Sequence, residues 1–211
     1  MRLDVIQSAR SDMEQACTTI GRLVQVMEVC GTHTVALFRH GIRSVLPANL
    51  KLLSGPGCPV CVTDQGYIDT VIDLARRPDC LIATYGDMIR VPGRNTSLER
   101  LTLSNVRVVL SSDDAVALAQ KHPDKTVVFI AVGFETTTPA TAVAIRQAQE
   151  LGLQNFTVLC GHKRVLPAMH ALLSGRNDKI DAFLCPGHVS VILGSRARSE
   201  ERRVGKECRS R

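Results

Sequence analysis

Two short stretches carry thiols in settings where they could react. The first is Met27-Glu28-Val29-Cys30-Gly31-Thr32-His33-Thr34, a lone cysteine three residues ahead of a histidine. The second is Gly55-Pro56-Gly57-Cys58-Pro59-Val60-Cys61, a CxxC bracketed by glycine and proline. Two residues between thiols permit a disulfide across one turn, or two ligands on one metal. A helix expected to start near residues 63–64 would stabilise a thiolate at its N-terminus, at Cys61 more than at Cys58. A zinc site would need a second ligand pair, and no second CxxC exists. A redox dithiol, a metal half-site and a structural turn therefore all stand as readings of Cys58 and Cys61. Cys30 reads either as an exposed thiolate with His33 as proton acceptor or second ligand, or as a buried thiol followed by a helix cap from Thr32 or Thr34.

Two further motifs lack thiols but carry polar groups. Gly133-Phe134-Glu135-Thr136-Thr137-Thr138-Pro139 sets a carboxylate and three hydroxyls ahead of a helix. Capping explains one threonine, and the open N–H groups of a helix start suit a small anion. Glu135 could then act as general base or hydrogen-bond anchor. Pro186-Gly187-His188-Val189-Ser190 places a histidine in a glycine turn, as ligand, proton donor or plain turn. His162 follows Cys160 in a similar but less distinctive way.

These motifs need a scaffold that gathers them. Short Val- and Ile-rich runs predict strands near 23–29, 50–54, 80–85, 106–110, 126–132, 156–160 and 180–184. Helices are predicted over 65–76, 113–121, 138–151 and 165–174, the first from the apolar face Ile68, Val71, Ile72 and Ala75. Strands alternating with helices imply parallel pairing through crossovers. Nearly every motif falls just after a strand, where an open α/β sheet binds its ligands. The expected architecture is α/β: two small lobes of mostly parallel sheet flanked by helices, facing each other across a cleft. The turn at 122–125 suggests the division, with a lobe over 1–121 and another over 122–195.

Composition narrows the classes further. The sixteen residues 196–211 hold seven basic and three acidic residues, leaving nineteen basic against seventeen acidic over the rest. The body is near neutral, so the overall basicity is no footprint for nucleic acid, and the tail reads as disordered or non-native. Aromatics make up 3% with no Trp, which argues against a base-stacking surface. No secretory signal and no membrane-length apolar run is present, so the chain reads as cytoplasmic. Eight cysteines in such a chain read as reduced, catalytic or metal-binding rather than stapled, with Cys17 and Cys80 as inert core thiols. The serine-hydrolase elbow, the P-loop and the full dinucleotide fingerprint are missing.

Taken in order, MEVCGTHT, GPGCPVCVT, GFETTTPATA and PGHVSVILG closely resemble the HypD family of hydrogenase maturation factors, over about residues 20–194. The resemblance implies a scaffold for assembling the Fe(CN)2CO centre of [NiFe] hydrogenases, rather than a turnover enzyme. It implies a HypC-like small chaperone and a HypE-like cyanide donor as partners. By the same resemblance Cys30 is the iron-binding thiolate and Cys58 and Cys61 the redox dithiol. His33, Glu135 and His188 match motif positions, and Thr136, Thr137 and Thr138 would face the anionic cyanides. Family members continue past PGHVS into a region whose cysteines bind a [4Fe–4S] cluster. The chain is therefore expected to be truncated and to bind no such cluster, with a tail over 196–211 unlike the family. A thiol–disulfide oxidoreductase working through the CxxC alone, and a zinc-binding structural module, are the rival expectations.

Overall fold

The computed structural model describes residues 3–175, 180–187, 189 and 191. His188 and the tail 196–211 lie outside the described residues. The elements run α1 (Leu3–Ile20), β1 (Val24–Glu28), α2 (Gly31–Arg39), β2 (Leu50–Ser54), α3 (Gln65–Ala75), β3 (Cys80–Thr84), α4 (Leu98–Leu101), β4 (Val106–Val108), α5 (Ser112–Lys121), β5 (Thr126–Ala131), α6 (Thr138–Glu150), β6 (Phe156–Cys160), α7 (Val165–Gly175) and β7 (Ala182–Leu184). Single 3-10 turns span Ile42–Val45 and Met88–Arg90. The α/β class holds: two wholly parallel sheets form, ordered β2-β1-β7 and β4-β3-β5-β6. No described helix is long and apolar enough to cross a membrane.

The chain divides into two compact units, Met1–Cys58 with Val165–Arg211, and Pro59–Arg164. The division expected at 122–125 thus falls inside the second unit. Those residues only turn the chain from α5 into β5, with the Lys125 N–H donating to the His122 carbonyl (3.1 Å). What joins the two sides is β3 pairing with β5 from Cys80↔Thr126 to Ala83↔Phe129. Both strands are apolar and buried on both faces, so each needs the other as a central neighbour.

Period-2 alternation splits the core of the second unit between the two faces of its sheet. Cys80, Ile82, Val128 and Ile130 pack with Ile68, Val71, Ile72 and Ala75 of α3. Leu81, Ala83, Val127, Phe129 and Ala131 pack with Ala115 and Ala119 of α5. The Tyr85 ring stands edge-on to Phe129, centroids 5.6 Å apart. Cys17 and Cys80 are buried as expected of core thiols.

Helix ends follow local chemistry. Ser111 caps α5 in a full capping box with Asp114. The carboxylate of Asp114, accepting the Leu110 and Ser111 N–H groups, is held below its ordinary value. Gly152, at φ +68°, follows α6 in the left-handed region that favours glycine. Three asparagines close helix C-termini just ahead of a strand. The Asn49 amide donates to the Cys17 and Arg22 carbonyls, Asn105 to Ala75, Arg77 and Cys80, and Asn155 to Ala119, His122 and Lys125.

Candidate functional site

In the first unit the three strands of one sheet end side by side, and each leads into a motif. β1 leads to Cys30, β2 to the loop carrying Cys58, and β7 to Cys185-Pro186-Gly187. The register pairs Glu28 with Ser54 on one side and with Leu184 on the other. Past the strand ends the contact continues. The Gly55 N–H donates to the Glu28 carbonyl (2.8 Å) and the Val29 N–H to the Leu184 carbonyl (3.1 Å).

Cys30 is the N-cap of α2. Its extended backbone (φ −153°, ψ 124°) turns into the helix, and its carbonyl accepts the His33 and Thr34 N–H groups. No side chain caps this helix, so neither Thr32 nor Thr34 is the cap; both lie within α2. A helix start with no side-chain cap offers N–H groups and partial positive charge to an anionic ligand atom. The cysteine is 6% exposed, which corrects the reading of an exposed thiolate. His33 is half-buried in the first turn of α2, its Nδ1 buried with no hydrogen-bond partner.

The second thiol motif lies against the first. A Cβ at Gly57 would stand 2.5 Å from the Gly31 nitrogen and 2.7 Å from the Cys30 carbonyl carbon. A Cβ at Gly55 would stand 2.7 Å from the Met27 side chain and 2.8 Å from the Glu28 carbonyl oxygen. Two glycines in Gly55-Pro56-Gly57 thus exist for close backbone approach. Cys58 is half-buried and Cys61 exposed, and no disulfide forms among the described residues. The helix after the CxxC starts where expected, but Asp64 caps it, accepting the Gly66 N–H at 2.8 Å. A carboxylate already occupies the end that was to stabilise Cys61.

In the second unit, strand ends β3, β5 and β6 lead to Gly86-Asp87, to the Gly133–Pro139 motif and to Cys160-Gly161-His162. Glu135 and Thr136 are half-buried. The Thr137 and Thr138 hydroxyls both donate back to the Phe134 carbonyl (3.1 and 3.2 Å), so they brace the turn into α6. His162, given little weight in the sequence, sits beside this turn. Its Nδ1 lies 3.5 Å from the Thr137 hydroxyl and its Nε2 3.0 Å from the Thr141 hydroxyl. A Cβ at Gly133 would collide with Thr137. Tyr67 donates to the Leu159 carbonyl at 2.7 Å, and burial, then the neighbouring Cys160, push its phenol up. Among the described residues, no three His, Cys, Asp or Glu side chains gather to hold a metal.

Burial holds the His162 imidazole below its ordinary value of 6.5, against an opposing hydrogen bond with the Gly133 backbone. A histidine disfavoured as imidazolium in the fold stabilises it above the unfolded value, and that share is lost as pH falls through the folded one. Thermal melts across pH 7 to 5 should therefore show wild type losing stability on acidification, and His162→Gln should show a flatter profile.

Glu28 went unremarked in the sequence although it stands inside the first motif. It is the one charged side chain fully buried among the described residues. It pairs with Arg43 at 2.7 Å, and the Ser54 hydroxyl donates to it at 2.8 Å. The only available signal was an acid at the end of an apolar strand.

The HypD family, described as "Hydrogenase formation hypA family", matches residues 4–203. The match reaches eight residues into the segment that looked unlike the family. The chain is 50% identical over 184 residues to "Hydrogenase maturation factor HypD" of Azotobacter vinelandii, covering 83% of this chain and 48% of that protein. It is 50% identical over 182 residues to "Hydrogenase expression/formation protein HupD" of Azotobacter chroococcum mcd 1, covering 82% and 48%. It is 42% identical over 197 residues to "Hydrogenase maturation factor HypD" of Escherichia coli (strain K12), covering 92% and 53%. The chain spans about half the length of these curated relatives.

Proposed function

Because this chain belongs to the HypD family, we propose that it serves hydrogenase maturation as an assembly scaffold, with Cys30 holding iron as cargo. Support comes chiefly from one observation: Gly57 packs its backbone onto Cys30 and Gly31, so a CxxC begins directly beside the uncapped helix start that carries Cys30. Iron bearing cyanide and carbonyl is soft and favours thiolate. In this reading the open amides at the start of α2 would accept an anionic cyanide. Cys58 and Cys61 would be the redox dithiol, closing to a disulfide by thiol–disulfide exchange as a partner's disulfide takes up the two electrons and two protons and is reduced to two thiols. His33, with its unpartnered Nδ1, would offer a hydrogen bond beside the iron. Glu135, Thr136 and His188 would serve ligand handling, with Thr137 and Thr138 bracing the turn that carries the first two, and a HypC-like chaperone and a HypE-like cyanide donor would be the partners.

The test is anaerobic binding of a ferrous dicyano-carbonyl complex to wild type and Cys30→Ala. The variant is expected to keep its circular dichroism and lose binding by at least about a hundredfold, as loss of a sole protein ligand would dictate. Undiminished binding would overturn the assignment.

A further inference from the structure

We propose that Glu28 is the positioning residue for both thiol motifs of the first unit, acting through Ser54 and Arg43. Its importance for iron rests on the functional reading of Cys30; its mechanical role does not.

One carboxylate is tied to three segments that carry the chemistry. It stands at the end of β1, two residues before Cys30. Through its Oε1 it accepts the hydroxyl of Ser54, the last residue of β2 and four residues before Cys58. Through the same oxygen it accepts from Arg43 Nη2 in the 3-10 turn Ile42–Val45, which follows the helix that Cys30 caps. Arg43 also donates to Ser54 (3.0 Å) and lies over the Phe38 ring of α2, 4.6 Å from its centroid. The Glu28 carbonyl holds Gly55. The strand end, the loop over 55–57 and the helix bearing Cys30 are thus keyed to one residue. A fully buried charge is retained only when paired, and without it Arg43, whose side chain is 34% exposed, is released from the strand end toward solvent. The pairing here is a single contact. Glu28 Oε2 and Arg43 Nε are both buried without partners, so hydrogen-bonding economy alone does not explain the pair.

Among the described residues three cysteines are buried, namely Cys17, Cys30 and Cys80, and they provide an internal control. The experiment is timed alkylation of the full chain with iodoacetamide, read thiol by thiol by mass spectrometry. In Glu28→Gln, which keeps the shape and removes the charge, Cys30 should react on the order of tenfold or more faster through local opening. Cys17 and Cys80 should keep wild-type rates. Ser54→Ala should show the same selective gain in smaller measure, and Ser54→Thr, which keeps the hydroxyl, should restore the wild-type rate. An unchanged Cys30, or equal acceleration at all three thiols, overturns the proposal; if Glu28→Gln does not fold, the Ser54 pair decides by the same criterion. No iron enters this measurement, so failure of the iron assignment would leave its result standing.

Discussion

Substituting Gly57 by alanine is expected to separate the two thiol motifs. The new methyl would sit 2.5 Å from the Gly31 nitrogen, 2.7 Å from the Cys30 carbonyl carbon and 2.8 Å from its Cα. All three are backbone atoms at the start of a helix, where no side chain can swing aside. Relief requires the loop to lift or α2 to move, and overpacking of this kind costs roughly 1–3 kcal/mol. The functional loss should exceed the loss of stability, because the clash falls on the residue assigned to iron. Gly31→Ala is the matched control. A Cβ there meets nothing within 4 Å, so its melting temperature should stay near wild type. Equal behaviour of the two variants would show that the close approach is of no consequence.

Truncating Phe129 to alanine should produce the largest loss of stability, about 3–5 kcal/mol for a fully buried aromatic. Its side chain is wholly buried in the central strand of the second sheet, between Leu81 and Ala83 of β3 and Ala115 and Ala119 of α5. The edge-on contact with Tyr85 would go with it. Denaturant unfolding should show a lower midpoint with an unchanged slope. A loss below 1 kcal/mol would mean that the neighbouring side chains collapse into the space. Because β5 leads directly into the Gly133–Pro139 turn, the variant also asks whether that turn depends on the strand beneath it.

The strands were legible because their apolar runs are short and well punctuated. β2 and β6 span the expected 50–54 and 156–160, and β3 and β5 lost only an end residue to the following turn. Helices with a buried stripe were equally clear, α3 above all. Three helices were not, and of these the four-residue α4 is too short to show any period. α1 runs eighteen residues but is exposed almost throughout, so it has no apolar stripe to betray it. α2 begins Gly-Thr-His-Thr, buries no residue and is capped by a cysteine, which defeats propensity, periodicity and capping signals together. Missing α2 also concealed that Cys30 is an N-cap. The unit boundary was hidden for another reason. β7 returns to pair with β1 from more than 150 residues away, and no local pattern announces a return of that length. Nor could spacing show that Gly57 touches Cys30, since that contact is made by the register of β1 with β2.

The asparagines ahead of β2, β4 and β6 make three joints of the fold depend on an amide staying an amide. Each amide nitrogen donates to two or three carbonyls, at least one of them in the last turn of a helix, the end that carries partial negative charge. Deamidation would replace that donor by a carboxylate facing the same carbonyls, turning attraction into repulsion at three separate joints. A chain so altered would unfold at lower temperature with every thiol still reduced, a loss that reductant could not reverse.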